Sequence, residues 1–237
     1  QMDIRKIPWT TLANTVTGEV IYTPPVGESL LRDKLSNWEK FLHGKGEIDP
    51  LVRMAVGHYQ LEAIHPFTDG NGRTGRIINI LFLVETGLLE LPVLYLSRAI
   101  IRRKSEYYGK LLDVTRSQAW ESWILFMVEM VLETAKWTSA KLVATSQLMD
   151  LCVKHVRDKL PKVYSRELVE LLFTQPYCRI PDVVDAGIAK RETASGYLKQ
   201  LCDLGVLEER KVGREKVFVH NKFRDLLTRD GHEIGPY

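Results

Sequence analysis

Between Gly109 and Pro161 the chain contains neither glycine nor proline, and this interval constrains the fold more than any other part of the sequence. Apolar side chains recur within it every three or four residues, the spacing of a helix with one buried face. We predict one long helix, or two nearly collinear ones, from about Ala119 to Lys159. At 1.5 Å per residue such a helix is about 60 Å long. That length exceeds a single core, so its second half is expected to carry the chain to another domain.

The composition is that of an ordinary globular protein and excludes several classes. Of the 237 residues, 45% are hydrophobic and 27% are charged, and the formal net charge of +3 is too weak to indicate nucleic-acid binding by itself. No run reaches the roughly 18 apolar residues of a membrane span, and we see no signal peptide. Cys152, Cys178 and Cys202 are odd in number and lack C-x-x-C spacing. They indicate a reducing compartment and no structural metal site, so we expect a cytoplasmic protein.

Local patterns predict a hairpin and several helices ahead of the long one. β-branched residues flank Gly18, which predicts a β-hairpin over residues 12–23. Helical spacing follows over residues 28–43, and Asp49 with Pro50 is a good start for the next helix. Further helices are expected to end near Glu85 to Gly87, to run from a Ser97 cap to Lys104, and to open at Tyr107 and Tyr108.

The stretch with the most chemistry runs from His65 to Arg76 and reads His-Pro-Phe-Thr-Asp-Gly-Asn-Gly-Arg-Thr-Gly-Arg. Its Gly-Asn-Gly segment can present backbone N–H groups to an anion, and a helix beginning there adds the positive end of its dipole. Two arginines suit phosphate oxygens, Asp69 suits Mg²⁺, and His65 stands where a general base would. The stretch is not a Walker A motif, which needs Gly-Lys-Ser/Thr. The plainer alternative is a glycine-rich turn that caps a core helix.

These residues resemble the Fic family signature, His-x-Phe-x-Asp/Glu-Gly-Asn-Gly-Arg-x-x-Arg, and match it at all eight constrained positions. The resemblance covers roughly the first 140 residues. It implies a mainly α fold, a Fic helical domain with a β-hairpin flap. It also implies a protein adenylyltransferase that moves AMP from ATP to a Ser, Thr or Tyr hydroxyl and releases pyrophosphate.

The resemblance also implies a role for each site residue. His65 deprotonates the target hydroxyl, Asp69 holds Mg²⁺ on the α- and β-phosphates, and Phe67 fixes the loop. Arg73 and Arg76 bind the β- and γ-phosphates. The residues expected to bind nucleotide are Gly70, Asn71, Gly72, Arg73, Thr74, Gly75, Arg76, Tyr107 and Tyr108.

Two features of the resemblance concern substrates. The hairpin resembles the family's flap, whose edge could align a target segment by strand addition; the candidate residues are Val20, Ile21, Tyr22 and Thr23. The Tyr107–Tyr108 pair matches one that often borders the adenine site, although Thr115 stands where some relatives place Asn. Core tyrosines are nearly as good an interpretation.

Control is a further expectation. Many Fic proteins carry an inhibitory helix, Ser/Thr-x-x-x-Glu-Gly/Asn, whose glutamate pairs with the second motif arginine. The segment from Thr86 to Leu91 fails this pattern at its last position. The helix is therefore either absent or upstream of Gln1. The resemblance to the subclass with the inhibitory helix before the core favours the upstream position, and an intact parent would then be auto-inhibited.

The remainder of the chain has a different pattern. Three helices, at 164–173, 180–185 and 190–204, precede a hairpin that turns at Gly213 and resembles the wing of a winged helix-turn-helix. Residues 162–220 hold ten Lys/Arg against nine Asp/Glu, so the region is not broadly basic. We expect a catalytic domain over 1–140, a linker helix over 141–161 and a winged-helix-like domain over 162–237.

Two hypotheses of function follow. The first is an AMP-transferring enzyme that uses ATP and Mg²⁺, modifies an unidentified protein and itself, and also removes AMP. The second is a DNA-binding transcription regulator whose Fic core only senses nucleotide. Phosphoryl transfer, as in the Doc branch, stays open within the enzyme class. A homodimer is a further expectation, and no membrane partner is expected.

Overall fold

The computed structural model describes residues 3–6, 11–13, 20–44, 46–213 and 215–237. The chain divides into two compact units, residues 1–138 and residues 139–237. Each unit is described by itself. Across the described residues, no helix is both long enough and apolar enough to cross a bilayer.

The first unit is helical with a small antiparallel pair of strands. The strands β1 (Leu12–Ala13) and β2 (Val20–Tyr22) pair with Leu12 opposite Tyr22, as the hairpin prediction requires. The predicted turn at Gly18 lies outside the described residues. The helices that follow are α1 (Glu28–Leu42), α2 (Pro50–Ile64), α3 (Asn71–Glu85), α4 (Leu96–Arg102), α5 (Lys104–Ser117) and α6 (Trp120–Lys159).

Helix α2 is the centre of this unit. Its start is as predicted, since the Asp49 carboxylate accepts a hydrogen bond from the Leu51 N–H at 2.8 Å. Trp123 is fully buried and donates its indole N–H to the Ala55 carbonyl at 2.9 Å. A Cβ at Gly57 would lie 2.5 Å from Cδ2 of Leu42, so glycine permits the close approach of α1 to α2. The loop that follows α2 at residue 65 therefore starts from a helix that is packed on several sides.

The long helix is confirmed, and two helix starts are corrected. Helix α6 has 40 residues and begins one residue after the predicted start. Ser97 does not cap α4, which begins at Leu96 without a side-chain cap. Helix α5 begins at Lys104, so Tyr107 and Tyr108 lie within the helix and do not open it. The predicted starts relied on the polar residue Ser97 and the aromatic pair at 107 and 108. In the structure the break between α4 and α5 lies at Arg103.

The second unit holds the last part of the chain. Its elements after α6 are α7 (Arg166–Thr174), β3 (Tyr177–Cys178), α8 (Ile180–Asp185), α9 (Arg191–Asp203), β4 (Glu208–Val212), β5 (Glu215–Val219) and α10 (Asn221–Thr228). The strands form an antiparallel sheet in the order β3-β5-β4, and β4 pairs with β5 from Glu208 opposite Val219 to Val212 opposite Glu215. The three helices and the hairpin were predicted, whereas β3 and α10 were not.

The β4–β5 hairpin carries paired charges. Arg210 contacts Glu208 at 2.9 Å, and Lys216 contacts Glu209 at 2.6 Å. These two cations are therefore balanced by acids on the same hairpin. Their geometry gives the expectation of DNA binding no support.

Candidate active site

Six residues, 65–70, join α2 to α3 and form the loop of the predicted motif. The loop starts and ends in the left-handed region, with φ of 48° at His65 and 82° at Gly70. The first hydrogen bond of α3 runs from the Thr74 N–H to the Gly70 carbonyl at 2.9 Å. The N–H groups of residues 71–73 precede it and so lack partners within the helix, which is the arrangement that attracts an anion.

Asn71 has a structural task that the sequence did not reveal. Its amide oxygen accepts from the Phe67 N–H at 2.9 Å, and its amide nitrogen donates to the Phe67 carbonyl at 2.8 Å. The side chain is 3% exposed. Asn71 therefore closes the loop on Phe67, and only its backbone N–H is available to the anion site. The sequence did contain a signal for this contact, because the Asn71 side chain has both a donor and an acceptor and lies four residues after Phe67.

Asp69 and Arg73 face each other across the first turn of α3. Their side chains meet at 2.9 Å, and both are exposed, at 86% and 69% respectively. The second oxygen of Asp69 accepts from the Gly70 N–H at 2.6 Å. Within the described residues, no cluster of three or more His, Cys, Asp or Glu could enclose a metal. A single exposed carboxylate does suit Mg²⁺, because this ion takes most of its ligands from phosphates and water.

Arg76 is held by a residue outside the motif. Its Nε donates to the Ser97 hydroxyl at 2.9 Å, and the side chain is half-buried. One guanidinium nitrogen lies 3.1 Å from where a Cβ of Gly72 would be, so the arginine folds back along its own helix. Ser97 follows 21 residues later in the chain, and nothing in the local sequence connects the two.

Glu62 lies beneath the first turns of α3 and was not predicted as a site residue. Its Oε1 is buried and finds no hydrogen-bond partner among the described residues. Burial raises the pKa of this carboxyl to about 7, and the charge of Arg76 opposes that shift. A Cβ at Gly75 would lie 2.9 Å from Glu62 Oε1 and 3.1 Å from His58 Cε1. Gly75, predicted to bind nucleotide, is buried against these two side chains of α2.

The surroundings of His65 favour the unprotonated form of its imidazole. Burial lowers the pKa of the imidazole, the nearby charge of Arg5 lowers it further, and the proximity of the Glu62 backbone acts in the opposite direction. The buried Nδ1 of His65 has no hydrogen-bond partner among the described residues. An unprotonated imidazole at neutral pH can accept a proton. The position of His65, at the end of α2 and five residues before Gly70, puts such a base beside the anion site.

The tyrosine pair is split by the structure. Tyr107 is 3% exposed, its hydroxyl lies 2.9 Å from Nε2 of His58, and its ring packs against Trp123. Its ring is enclosed in the core, which favours the alternative interpretation of Tyr107 as a core tyrosine. Tyr108 is 55% exposed and is left as the aromatic candidate for that contact.

The flap is attached to the site. The Tyr22 hydroxyl donates to the Ala63 carbonyl at 2.8 Å, so this side chain anchors the flap rather than facing a target. Thr23 is exposed. In the part of the chain that the structure describes, β2 pairs only with β1, and its other edge has no strand beside it.

Comparison with known proteins finds two matching family models. Residues 4–83 match the model of the Fic/DOC family. More narrowly, residues 148–223 match the model described as the C-terminal domain of SoFic-like protein adenylyltransferase. The second region lies wholly within the second unit.

Individual relatives are similar over part of their length. The chain is 35% identical over 89 residues to protein adenylyltransferase fic-1 of Caenorhabditis elegans, covering 37% of this chain and 16% of that protein. It is 42% identical over 71 residues to a probable protein adenylyltransferase of Aquifex aeolicus, covering 29% of this chain and 21% of the relative. A crystal structure of a Fic family protein from Desulfovibrio desulfuricans G20 aligns over 83% of this chain and 56% of its own, with a TM-score of 0.46 and 20% identity.

Proposed function

We propose that this protein is an adenylyltransferase that transfers AMP from ATP to a hydroxyl of a protein Ser, Thr or Tyr. The observation that carries the proposal is the placement of His65, the free N–H groups of α3 and two arginines around one six-residue loop. The names of the relatives support the same reaction.

The proposed step is a displacement at the α-phosphorus of ATP. The target hydroxyl oxygen forms a bond to that phosphorus, and the bond to the bridging oxygen of the β-phosphate breaks, so pyrophosphate leaves. His65 takes the proton of the hydroxyl, which its lowered pKa allows at neutral pH. In such transfers positioning and charge neutralisation supply most of the catalysis.

The triphosphate would be held by charges that the structure places along α3. The N-terminal N–H groups and Arg76 would bind phosphate oxygens, and Arg73 would exchange its contact with Asp69 for one with phosphate. Asp69, released from Arg73, would then hold Mg²⁺, which would offset the charge of the phosphates. The exchange costs little, because exposed ion pairs contribute about 0–1 kcal/mol.

The target would be aligned by the flap. The edge of β2 without a strand beside it can accept an extended segment through backbone hydrogen bonds. The anchor from Tyr22 to Ala63 keeps that edge close to His65. Self-modification and AMP removal belong to the same proposal and use the same groups.

The test is the transfer of label from ATP to protein. With Mg²⁺ and ATP labelled at either the α- or the γ-phosphate, we expect label on protein from the α-position only. His65→Ala should abolish it and keep ATP binding, whereas His43→Ala, an exposed histidine paired with Glu85, should transfer normally. Label from the γ-position only would show a kinase-like reaction, and full transfer by His65→Ala would contradict the mechanism.

A further inference from the structure

Four consecutive backbone carbonyls at the end of α2, those of residues 63–66, accept hydrogen bonds from groups far away in the chain. Tyr22 donates to the first, and Arg5 donates to the other three. The distances are 2.8 Å from Tyr22 to Ala63, 3.4 Å from Arg5 Nη2 to Ile64, 2.7 Å from Arg5 Nε to His65 and 2.9 Å from the Arg5 backbone N–H to Pro66. The last carbonyls of a helix have no partner within it, so here one residue supplies most of the donors.

Arg5 is an unusual residue to find in this place. It is 2% exposed, and no carboxylate of the described residues lies within ion-pair distance of its guanidinium. The same Nη2 also donates to the carbonyl of Pro25, the residue that follows the flap by three positions. A buried cation is tolerated when its donors are satisfied, and here backbone oxygens satisfy them. The guanidinium thus joins the N-terminal segment, the flap and the site loop.

The conformation of His65 needs such support. Its φ of 48° lies in the left-handed region, which residues with a Cβ seldom adopt. Arg5 binds the peptide groups before, at and after this residue, so it fixes the backbone on both sides of the His65 Cα. The direction of the imidazole follows from that backbone.

We propose that Arg5 is a positioning residue for the transfer reaction, one that holds the His65 backbone in its left-handed conformation and ties the flap to the same loop. This inference rests on the proposed AMP transfer. It assigns to a residue 60 positions before the motif a part in placing the base. The donors of Arg5 go to backbone carbonyls and not to the groups of α3 proposed to hold the phosphates, so its effect should fall on the rate of transfer and not on the binding of ATP.

Two variants separate geometry from charge. Arg5→Lys keeps the cation but cannot donate in two directions from a rigid fork, and Arg5→Gln removes the charge as well. We expect kcat to fall roughly ten- to hundredfold in both, because small displacements of a catalytic group have effects of that size. The Kd for Mg-ATP should change less than about twofold, since the groups on α3 are retained. Arg32→Gln, which removes an exposed arginine paired with Glu28, is the matched control and should behave as the parent.

A purely structural role is excluded by following His65 itself. The charged group that acts on its pKa is Arg5. In Arg5→Gln the loss of the cation should raise the pKa of His65, read by NMR of the imidazole. In Arg5→Lys the pKa should stay close to the parent value while the backbone shifts of residues 64–66 change. A merely destabilised protein would show a lower melting temperature and neither of these changes.

The outcomes distinguish this inference from the proposed function. Transfer by Arg5→Gln and Arg5→Lys at rates within twofold of the parent would overturn the inference. If the parent itself transfers no AMP, the proposed function fails, and the NMR measurement still decides about Arg5. An unchanged His65 pKa in Arg5→Gln, with unchanged backbone shifts in both variants, would then overturn the positioning role. If Arg5→Gln does not fold, Arg5→Lys alone gives both the rate and the backbone shifts.

Discussion

The Nε of Arg76 donates to the hydroxyl of Ser97 at 2.9 Å, so the second motif arginine is oriented from outside the motif. Arg76 also lies close to the buried carboxyl of Glu62, whose pKa it influences. The arginine is thus placed before any nucleotide arrives. Preorganised charges of this kind bind an anion without first losing side-chain freedom.

Removal of the Ser97 hydroxyl should weaken ATP binding. Ser97→Ala leaves Arg76 free to rotate, and the loss of one hydrogen bond to a charged group is worth about 1–3 kcal/mol. We expect the Kd for Mg-ATP to rise roughly five- to 150-fold in calorimetry, with the fold retained. Ser105→Ala, an exposed serine of α5, is the control. Equal affinities in Ser97→Ala and the parent would show that the contact does not matter for binding.

The stability difference between the parent and Glu62→Gln should depend on pH. Burial raises the pKa of Glu62 to about 7 in the folded protein, whereas its ordinary value is 4.5. Between these values the folded state binds more protons than the unfolded state, so this group's contribution to stability is lost as pH rises. In urea unfolding, the free energy of unfolding of Glu62→Gln should therefore increase relative to that of the parent between pH 5 and pH 8, by on the order of 1–3 kcal/mol.

The exposed Glu47→Gln variant provides the baseline for that experiment. Its difference from the parent should be flat across the same range. A flat difference for Glu62→Gln as well would mean that the Glu62 carboxyl is ionised at neutral pH in the folded protein.

A methyl group at Gly75 should disturb the contact between α3 and α2. The added Cβ would lie 2.9 Å from Glu62 Oε1 and 3.1 Å from His58, inside normal contact distances. We expect Gly75→Ala to lower the free energy of unfolding by about 1–3 kcal/mol. Gly109→Ala is the matched helical control, since nothing lies within 4 Å of its Cβ position. It should be neutral or stabilising by up to about 1 kcal/mol, and a similar loss in both variants would contradict the packing role.

Substitution of the two neighbouring tyrosines should affect different properties, stability for Tyr107 and ATP affinity for Tyr108. Tyr107→Phe leaves Nε2 of the buried His58 without its partner, which should cost about 1–3 kcal/mol of stability and little ATP affinity. Tyr108→Ala should leave stability nearly unchanged and reduce ATP affinity roughly tenfold if its ring stacks on the base. Thermal unfolding and ATP titration of both variants check this, and a loss of affinity only in Tyr107→Phe would reverse the assignment.

Much of the fold was predictable because its signals are local. Helix α6 follows from apolar spacing without glycine or proline, and α2 from Asp49 and Pro50 at its start. The two-residue strand β3 is too short to show alternation. Helix α10 is capped by His220, whose Nδ1 accepts from the Phe223 N–H at 3.1 Å, and histidine is not a usual capping residue.

The site was predictable only where its residues are contiguous. Residues 65–76 form a motif that can be recognised in the sequence. Ser97, Glu62 and Arg5 are brought to the site only by the packing of the fold. Arg5 lies 60 residues from His65, and Ser97 lies 21 residues from Arg76. The flap prediction failed to separate the anchor Tyr22 from exposed Thr23, because strand pattern alone does not show which side chain meets α2.

The hydrogen bonds from Arg5 to residues 64–66 have a consequence for how such chains diverge. The twelve residues of the motif do not contain the information for their own geometry, since part of it resides near the N-terminus. If the proposed function and the role inferred for Arg5 hold, a gene copy that lost only this arginine would keep an intact signature and yet encode a slow enzyme. Grafting residues 65–76 between two helices of another scaffold would likewise transfer the sequence of the site without its backbone conformation.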